Sequence, residues 1–280
     1  MRFTWRLLSG TGSKFIRDHG SFLAAGLAFN LLLYSVPFLL LVISVLAFTL
    51  GSSGRALLNV QESAKQLLPD ANEAVVNTLS RIIDKRNLLG LVAVPLFFVL
   101  SSVLFGAIRL VLNVAFQASE NPSYIKQKIS DLILILVVTC LVILSVGVGS
   151  LLTILQALGE SVPLIGNSLK PGWLVVTHAL VFFFTATLFY TLYRFSPDET
   201  ISRRALVVSA LTGATMFSLS KWAFSWYVVL AKANTLIYGS LAAIIFYKLW
   251  LFYASIVFII GAEVGWVFDR ESRRRRKNAA

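Results

Sequence analysis

Residues 22–50, FLAAGLAFNLLLYSVPFLLLVISVLAFTL, decide the fold class of this chain. They contain no charged residue, and an α-helix needs only about 20 apolar residues to cross the ~30 Å hydrocarbon core of a bilayer. The stretch is therefore predicted to be a transmembrane helix. It is longer than a minimal span, and Pro37 near its middle removes a backbone N–H donor, so we expect a kink at Pro37.

Five more apolar stretches follow along the chain. The composition agrees with a membrane protein, because 57% of the 280 residues are hydrophobic and only 14% are charged, whereas a soluble protein has about a quarter of its residues charged. We predict an all-α fold, a polytopic membrane helix bundle that forms a single membrane domain over residues 1–280. Its six transmembrane helices are predicted at residues 22–50, 88–112, 132–155, 173–193, 205–231 and 237–268.

The basic residues indicate the orientation of the bundle. Fifteen of the 25 Lys and Arg residues lie before the first span and after the second, fourth and sixth, whereas seven lie in the opposite loops. Because cytoplasmic loops carry an excess of Lys and Arg, both termini are predicted to be cytoplasmic, with residues 269–280 as a basic tail. The net charge of +12 then reflects topology and contact with anionic lipid, and it does not require nucleic acid.

The first loop, residues 55–86, is more than a connector. Apolar residues at helical spacing on both sides of Pro69 and Asp70 predict two short amphipathic helices in this first extracytoplasmic loop. Two interpretations are open: the helices lie in the membrane interface or cap the bundle, or they form a lid over a cavity. Five basic residues in this loop count against the predicted orientation, although its length weakens that objection.

Four ionisable residues fall inside the predicted spans, where charge is costly and marks candidate functional sites. Two of them, Arg109 and Glu263, lie near the predicted cytoplasmic ends of their helices. Two interpretations are open. In the structural one, the two side chains pair or each snorkels to the interface. In the functional one, they form an intramembrane gate on the cytoplasmic side.

The other two intramembrane charges are lysines. Lys221 lies 10 residues before Ala231 and Lys248 lies 11 residues after Ile237, so antiparallel helices would hold them at similar depth, roughly 15 Å from the extracytoplasmic end. No carboxylate of the spans lies at that level. We interpret the pair as a candidate substrate-binding site for an anionic group such as a phosphate, provided that both face one cavity. The alternative is that each lysine snorkels outward independently.

Residues for enzymatic chemistry are sparse. His19 and His178 are the two histidines, neither has a ligand at i+3 or i+4, and Cys140 is the single cysteine. The sequence contains no GxxxxGK[ST], HExxH or GxSxG motif. We therefore expect no enzymatic activity, no catalytic residue, no metal site and no cofactor.

Three groups of residues resemble the YihY/BrkB family of membrane proteins. The first is AAGLAF at 24–29 with YSVP at 34–37, and the second is YRFSP at 193–197 with Arg203 and Arg204. The third and most specific comprises YGSL at 238–241, LW at 249–250 and GAE at 261–263. The resemblance covers nearly the whole chain and implies a six-helix bacterial inner-membrane protein with a role in the export of envelope lipid or lipopolysaccharide precursors. It also brings an old ribonuclease BN label, which the missing catalytic residues argue against.

We expect a multi-pass transporter or flippase of the bacterial inner membrane for an anionic amphipathic substrate, such as a phospholipid or a lipopolysaccharide precursor. Pro37 would open a cavity, Lys221 and Lys248 would receive the head group, and Arg109 with Glu263 would form the gate. The expected partners are membrane lipids and anionic lipid head groups, with no nucleic acid, and homo-oligomerisation is left open. The alternative is a non-transporting scaffold for envelope assembly, with its basic tail on anionic lipid.

Overall fold

The computed structural model describes residues 2–52, 86–118, 125, 127–141, 144, 166–231 and 241–279. Within these ranges the chain forms helices joined by short turns, and no strand occurs among them. The all-helical prediction is confirmed for this part of the chain. The helices are α1 (Arg2–Arg17), α2 (Gly20–Ser52), α3 (Arg86–Phe116), α4 (127–141), α5 (Gly166–Phe195), α6 (Arg203–Ala231) and α7 (Leu241–Ala279).

Four of the described helices are long and apolar enough to cross a membrane. The qualifying segments are Gly20–Val42, Gly90–Phe116, Val175–Phe195 and Ile244–Arg275. The predicted span 205–231 is helical in α6 but is less apolar, since it contains Lys221 and several hydroxyl residues. The predicted span 132–155 lies largely outside the described residues, as do the amphipathic helices predicted at 55–86. Six spans and the orientation of the termini therefore remain predictions.

The described chain divides into two compact units, Asn30–Leu104 and the combination of Met1–Phe29 with Phe105–Ala280. In the first unit the Tyr34 ring lies 5.7 Å from the Phe38 ring on the same helix and 5.7 Å from the Phe97 ring of α3. Pro37 is fully buried, and α2 continues through it. Its ring removes the backbone hydrogen bond that would reach the carbonyl of Leu33. The kink itself stays a prediction.

The second unit is built on close packing between α6 and α7. A Cβ on Gly261 would lie 3.0 Å from the Cα of Gly213, and one on Gly265 would overlap the Ser209 hydroxyl. These pairs run in opposite directions along the two helices, as antiparallel packing requires. The Gly261 and Gly265 spacing therefore serves helix packing within one chain, as small residues do in membranes.

Helix α5 is anchored to α7 by Tyr193. Its hydroxyl donates a 2.7 Å hydrogen bond to the carbonyl of Phe258, and its fully buried ring packs on those of Phe189 and Phe258. The first residue of the YRFSP stretch is thus a packing and hydrogen-bonding residue of the core. This anchor fixes where the segment after α5 begins.

Both ends of the described chain are helical. Residues 2–17 form α1, and α7 continues through the basic tail to Ala279. The turn from α1 to α2 places His19 at φ 53°, and Gly20 packs directly beneath the Phe15 ring, where a Cβ would collide. Hydropathy marks the part of a helix that is apolar, so it misses the polar turns that extend the same helix.

Candidate functional site

One end of the second unit collects buried charge. We call it the polar end; it contains the C-terminal halves of α3 and α7, the start of α4 and the segment after α5. Arg109 of α3 is only 6% exposed. Its guanidinium binds the Asp131 carboxylate of α4, and its Nε donates a 3.0 Å hydrogen bond to the carbonyl of Ser196. A second carboxylate, Asp198, lies 3.8 Å from the same Nε.

Asn113, one helical turn after Arg109, holds the same segment. Its amide donates a 2.6 Å hydrogen bond to the Asp198 carboxylate, and its side-chain oxygen accepts a 2.9 Å bond from the Asp198 backbone N–H. The other residue of this network, Gln127, places its backbone carbonyl 3.2 Å from Arg109 Nη2. Residues 196–198 are therefore tied to α3 at two successive turns.

A cavity of about 580 Å³ opens beside this network and is lined in part by Arg109, Lys128, Asp131 and Asp198. Two cations and two carboxylates balance in its wall. Burial raises the pKa of the Asp131 carboxyl, and the neighbouring Arg109 guanidinium opposes that shift. Because the carboxylates already occupy Arg109, we interpret the network as a structural brace of the polar end rather than as an anion site.

The predicted pair between Arg109 and Glu263 does not form. Arg109 binds Asp131, whereas both carboxylate oxygens of Glu263 are buried without a hydrogen-bond partner among the described residues. Both residues are buried in the described chain, since Glu263 is 1% exposed and Arg109 is 6% exposed. The physical reason is that Asp131 and Asp198 lie just beyond the apolar stretches and are close enough to Arg109 to neutralise its charge.

Glu263 instead faces α1, whose sequence suggests no more than a basic segment. The next turn of α7 carries Trp266, whose ring centre lies 4.8 Å from Lys14 Nζ. Lys14 is buried and binds the Asp18 carboxylate one turn along α1. The spacing of Lys14 and Asp18 at i and i+4 is a signal that could have identified this helix.

Between α6 and α7 lies an aromatic groove of about 440 Å³, lined by Ser220, Ala223, Phe224, Tyr227, Leu249 and Tyr253. Neither Lys221 nor Lys248 lines it. Residues two positions apart on an α-helix point about 160° apart and residues three positions apart about 60° apart, so Lys221 is turned away from Ala223 but lies beside Phe224 at the edge of the groove. The same geometry turns Lys248 about 140° from Tyr253. Trp250 of α7 packs on the Phe217 and Phe224 rings of α6, so Lys248, two positions earlier, points away from α6. We use the name lysine flank for the two lysine positions, Lys221 and Lys248.

On the lysine flank, the two side chains differ in their surroundings. Lys221 Nζ lies 5.6 Å from the centre of the Phe217 ring, one turn back on α6. Lys248 is exposed. In the register set by Gly213 with Gly261, the two positions differ by about five residues, or ~7.5 Å, along the helix axis. No ion pair involves either lysine in the described ranges, and their joint binding of one anion stays a prediction.

The sequence was compared with known proteins. It matches the family described as Virulence factor BrkB over residues 11–280. Similar UPF0761 membrane proteins occur in Aliivibrio salmonicida (27% identical, 94% of this chain and 83% of that protein), Pseudoalteromonas atlantica (27%, 90% and 82%) and Haemophilus influenzae (22%, 88% and 88%). No solved structure matches the chain significantly. The family resemblance drawn from the sequence motifs is confirmed.

Proposed function

Since the chain belongs to the BrkB family of membrane proteins, we propose that it is a transporter or flippase of the bacterial inner membrane. The substrate is an anionic amphipathic molecule, either a phospholipid or a lipopolysaccharide precursor. The protein moves it without a catalytic step, and membrane lipids are its partners. Names of the similar proteins specify a membrane protein and go no further.

The observation that carries this proposal is the lysine flank. Lys221 and Lys248 lie within ~7.5 Å of each other in depth, and neither forms an ion pair in the described part of the chain. A cation held in hydrocarbon needs water, carbonyl groups or an anion. A phosphate head group moving along this flank supplies that anion, while its acyl chains remain in lipid.

This route differs from the enclosed cavity expected from the sequence. Neither lysine lines the aromatic groove between α6 and α7, so the proposed path of the head group does not include the groove. Because Arg109 is bound by Asp131 and does not meet Glu263, the proposed path also contains no gate made of those two residues. The lysines remain the groups that receive the head group.

The experiment is transbilayer movement of a fluorescent phosphatidylglycerol in liposomes that contain the purified full chain. The wild type is expected to exceed empty vesicles. Charge-assisted hydrogen bonds contribute about 1.5–3 kcal/mol each, so Lys221→Gln and Lys248→Gln should each slow movement about tenfold or more. The matched control is Lys277→Gln, because Lys277 is an exposed lysine near the end of α7. This variant should behave as the wild type.

Two results would contradict the proposal. Movement at the rate of empty vesicles, with the wild type monodisperse and helical, would favour the non-transporting scaffold. Equal rates in the wild type and the Lys221→Gln/Lys248→Gln double variant would remove the lysine flank from the path.

A further inference from the structure

Glu263 carries a carboxyl group that is buried in the described part of the chain. It is 1% exposed, and neither of its oxygens has a hydrogen-bond partner among the described residues. Burying an ionised carboxylate without a partner is unfavourable, and groups in that position usually become neutral instead. A proton on the carboxyl removes this cost.

The nearest charges to Glu263 come from α1. Val267, one turn beyond Glu263, packs against Gly10, where a Cβ would lie 3.2 Å from a valine methyl group. This contact and the Lys14 contact with Trp266 place α1 over the Glu263 side of α7. Lys14 acts on Glu263 with an attractive field, and Asp18 acts with a repulsive one. Arg17, mostly exposed, adds a weaker attraction.

Other elements around Glu263 offer it no described ion pair. On its own helix, Asp269 is engaged by Ser202 and Arg273, and Arg270 stacks on Trp266 at 5.1 Å. From α6, the groups against the neighbouring turn of α7 are Ser209 and the backbone of Ala205. From α5, the Tyr193 hydroxyl donates to the Phe258 carbonyl. The cation positioned to respond to Glu263 is therefore Lys14.

We propose that Glu263 is a reversible proton-binding site and that Lys14 moves between two carboxylates as the proton comes and goes. With Glu263 protonated, Lys14 binds Asp18, which is the arrangement in the structure. When Glu263 releases its proton to water at the polar end, its new negative charge attracts Lys14 away from Asp18, which retains contact with Arg17 at 3.3 Å. No covalent bond other than the O–H of the carboxyl forms or breaks.

The consequence for the helices is a change in how α1 sits on α7. In the protonated state Lys14 belongs to its own helix, whereas in the deprotonated state it links α1 to α7 by an ion pair. The proton-binding site therefore couples proton uptake to the attachment of the N-terminal helix. This inference goes beyond the proposed function, since it involves neither the lysine flank nor the transported substrate.

The test is infrared titration of the full chain in lipid nanodiscs, following the carbonyl stretch of protonated carboxylic acids. A component of this band that disappears reversibly as the pH rises is expected in the wild type and should be missing from the spectrum of Glu263→Gln. The control is Glu271→Gln, a more exposed glutamate two turns along the same helix, whose carboxylate lies 3.7 Å from Arg274. That variant should keep the band. If Glu263→Gln does not fold, Glu263→Asp should shift the band instead of removing it.

Variants of α1 test the movement of Lys14. Lys14→Met should retain the band over the pH range in which the wild type loses it, because no cation then stabilises the Glu263 carboxylate. Asp18→Asn releases Lys14 from its ion pair, so this variant should lose the band at a lower pH than the wild type.

Four outcomes would contradict the proposal, three of them for the proton-binding site and one for the movement of Lys14. One is a wild type without the band at any pH, and another is a band that is the same in the wild type and in Glu263→Gln. The third is loss of the band on addition of Na⁺ at constant pH, which would identify a sodium site. A band that responds to Glu263 but to neither α1 variant would refute the role of Lys14. Because no transport is measured, these results are independent of the liposome assay.

Discussion

At the scale of single residues, the charge of Arg109 is balanced by groups from separate parts of the chain. Asp131 comes from the start of α4, while Asp198 and the Ser196 carbonyl come from the segment after α5. A guanidinium suits this position because its planar array of N–H donors can bind several oxygens at once. Removal of the cation would leave two buried carboxylates facing each other.

Arg109→Ala is therefore expected to lower the free energy of unfolding by about 3–5 kcal/mol, the usual cost of breaking a buried ion pair on one side. The measurement is reversible unfolding in detergent micelles. Arg273→Ala is the control, because Arg273 is exposed and its 2.8 Å contact with Asp269 resembles surface pairs worth about 0–1 kcal/mol. Equal losses in the two variants would mean that the Arg109 network does not brace the polar end.

The sequence predicts some of these residues better than their partners. Arg109 and Glu263 stand out because each is a charge within an apolar stretch, and both prove to be buried. Their partners could not be predicted, since Asp131 and Asp198 lie outside the predicted spans and the sequence does not say which polar residue folds back. In the sequence, Lys14 serves only as one of the basic residues that predict the orientation. In the structure it is buried against α7.

At the scale of helices, apolar length predicts the four segments of the described chain that could cross a membrane, but it does not predict where the helices end. The predicted spans at 88–112 and 173–193 lie within longer helices, α3 and α5. Backbone hydrogen bonding continues after the apolar residues stop, so polar turns extend each helix beyond its hydrophobic part. Apolar length does not predict helix α1 for the same reason, because this helix is too polar to resemble a transmembrane span.

The contact between α6 and α7 depends on small residues. Gly265→Ala places a methyl group against Ser209 and the Ala205 carbonyl, and overpacking of this kind costs about 1–3 kcal/mol. Gly106→Ala is the matched control, as it lies inside α3 with no atom within 4 Å of the added Cβ. Thermal unfolding in detergent should show a loss for the first variant only. A neutral Gly265→Ala would mean that this helix pair is not closely packed.

The attachment of α1 to α7 can be tested in the same manner. Gly10→Leu enlarges the position that touches Val267, whereas Gly12→Leu enlarges one with open space around it. A weakening of about 1.4 kcal/mol corresponds to about tenfold in the population of the open form. Trypsin cleavage after the buried Lys14 should accelerate about tenfold in Gly10→Leu and remain unchanged in Gly12→Leu. The same rate in both would contradict the packing of α1 described here.

At the scale of the whole molecule, family membership and the membrane character of the chain are established, while its topology is a prediction from charge. With Cys140, whose side chain is exposed, replaced by alanine, single cysteines can be placed at Ser63 in the first loop and at Lys277 in the tail. A membrane-impermeant maleimide should label Ser63→Cys in intact spheroplasts and Lys277→Cys only after permeabilisation. The reverse pattern would invert the orientation.

The proposed transport also predicts selectivity for charge. The decisive measurement is the ratio of transbilayer rates for fluorescent phosphatidylglycerol and fluorescent phosphatidylcholine in the same proteoliposomes. The wild type should favour the anionic lipid about tenfold or more, and the Lys221→Gln/Lys248→Gln double variant should bring the ratio close to that of empty vesicles. A ratio that is the same in the wild type and the double variant would contradict the role of the lysine flank.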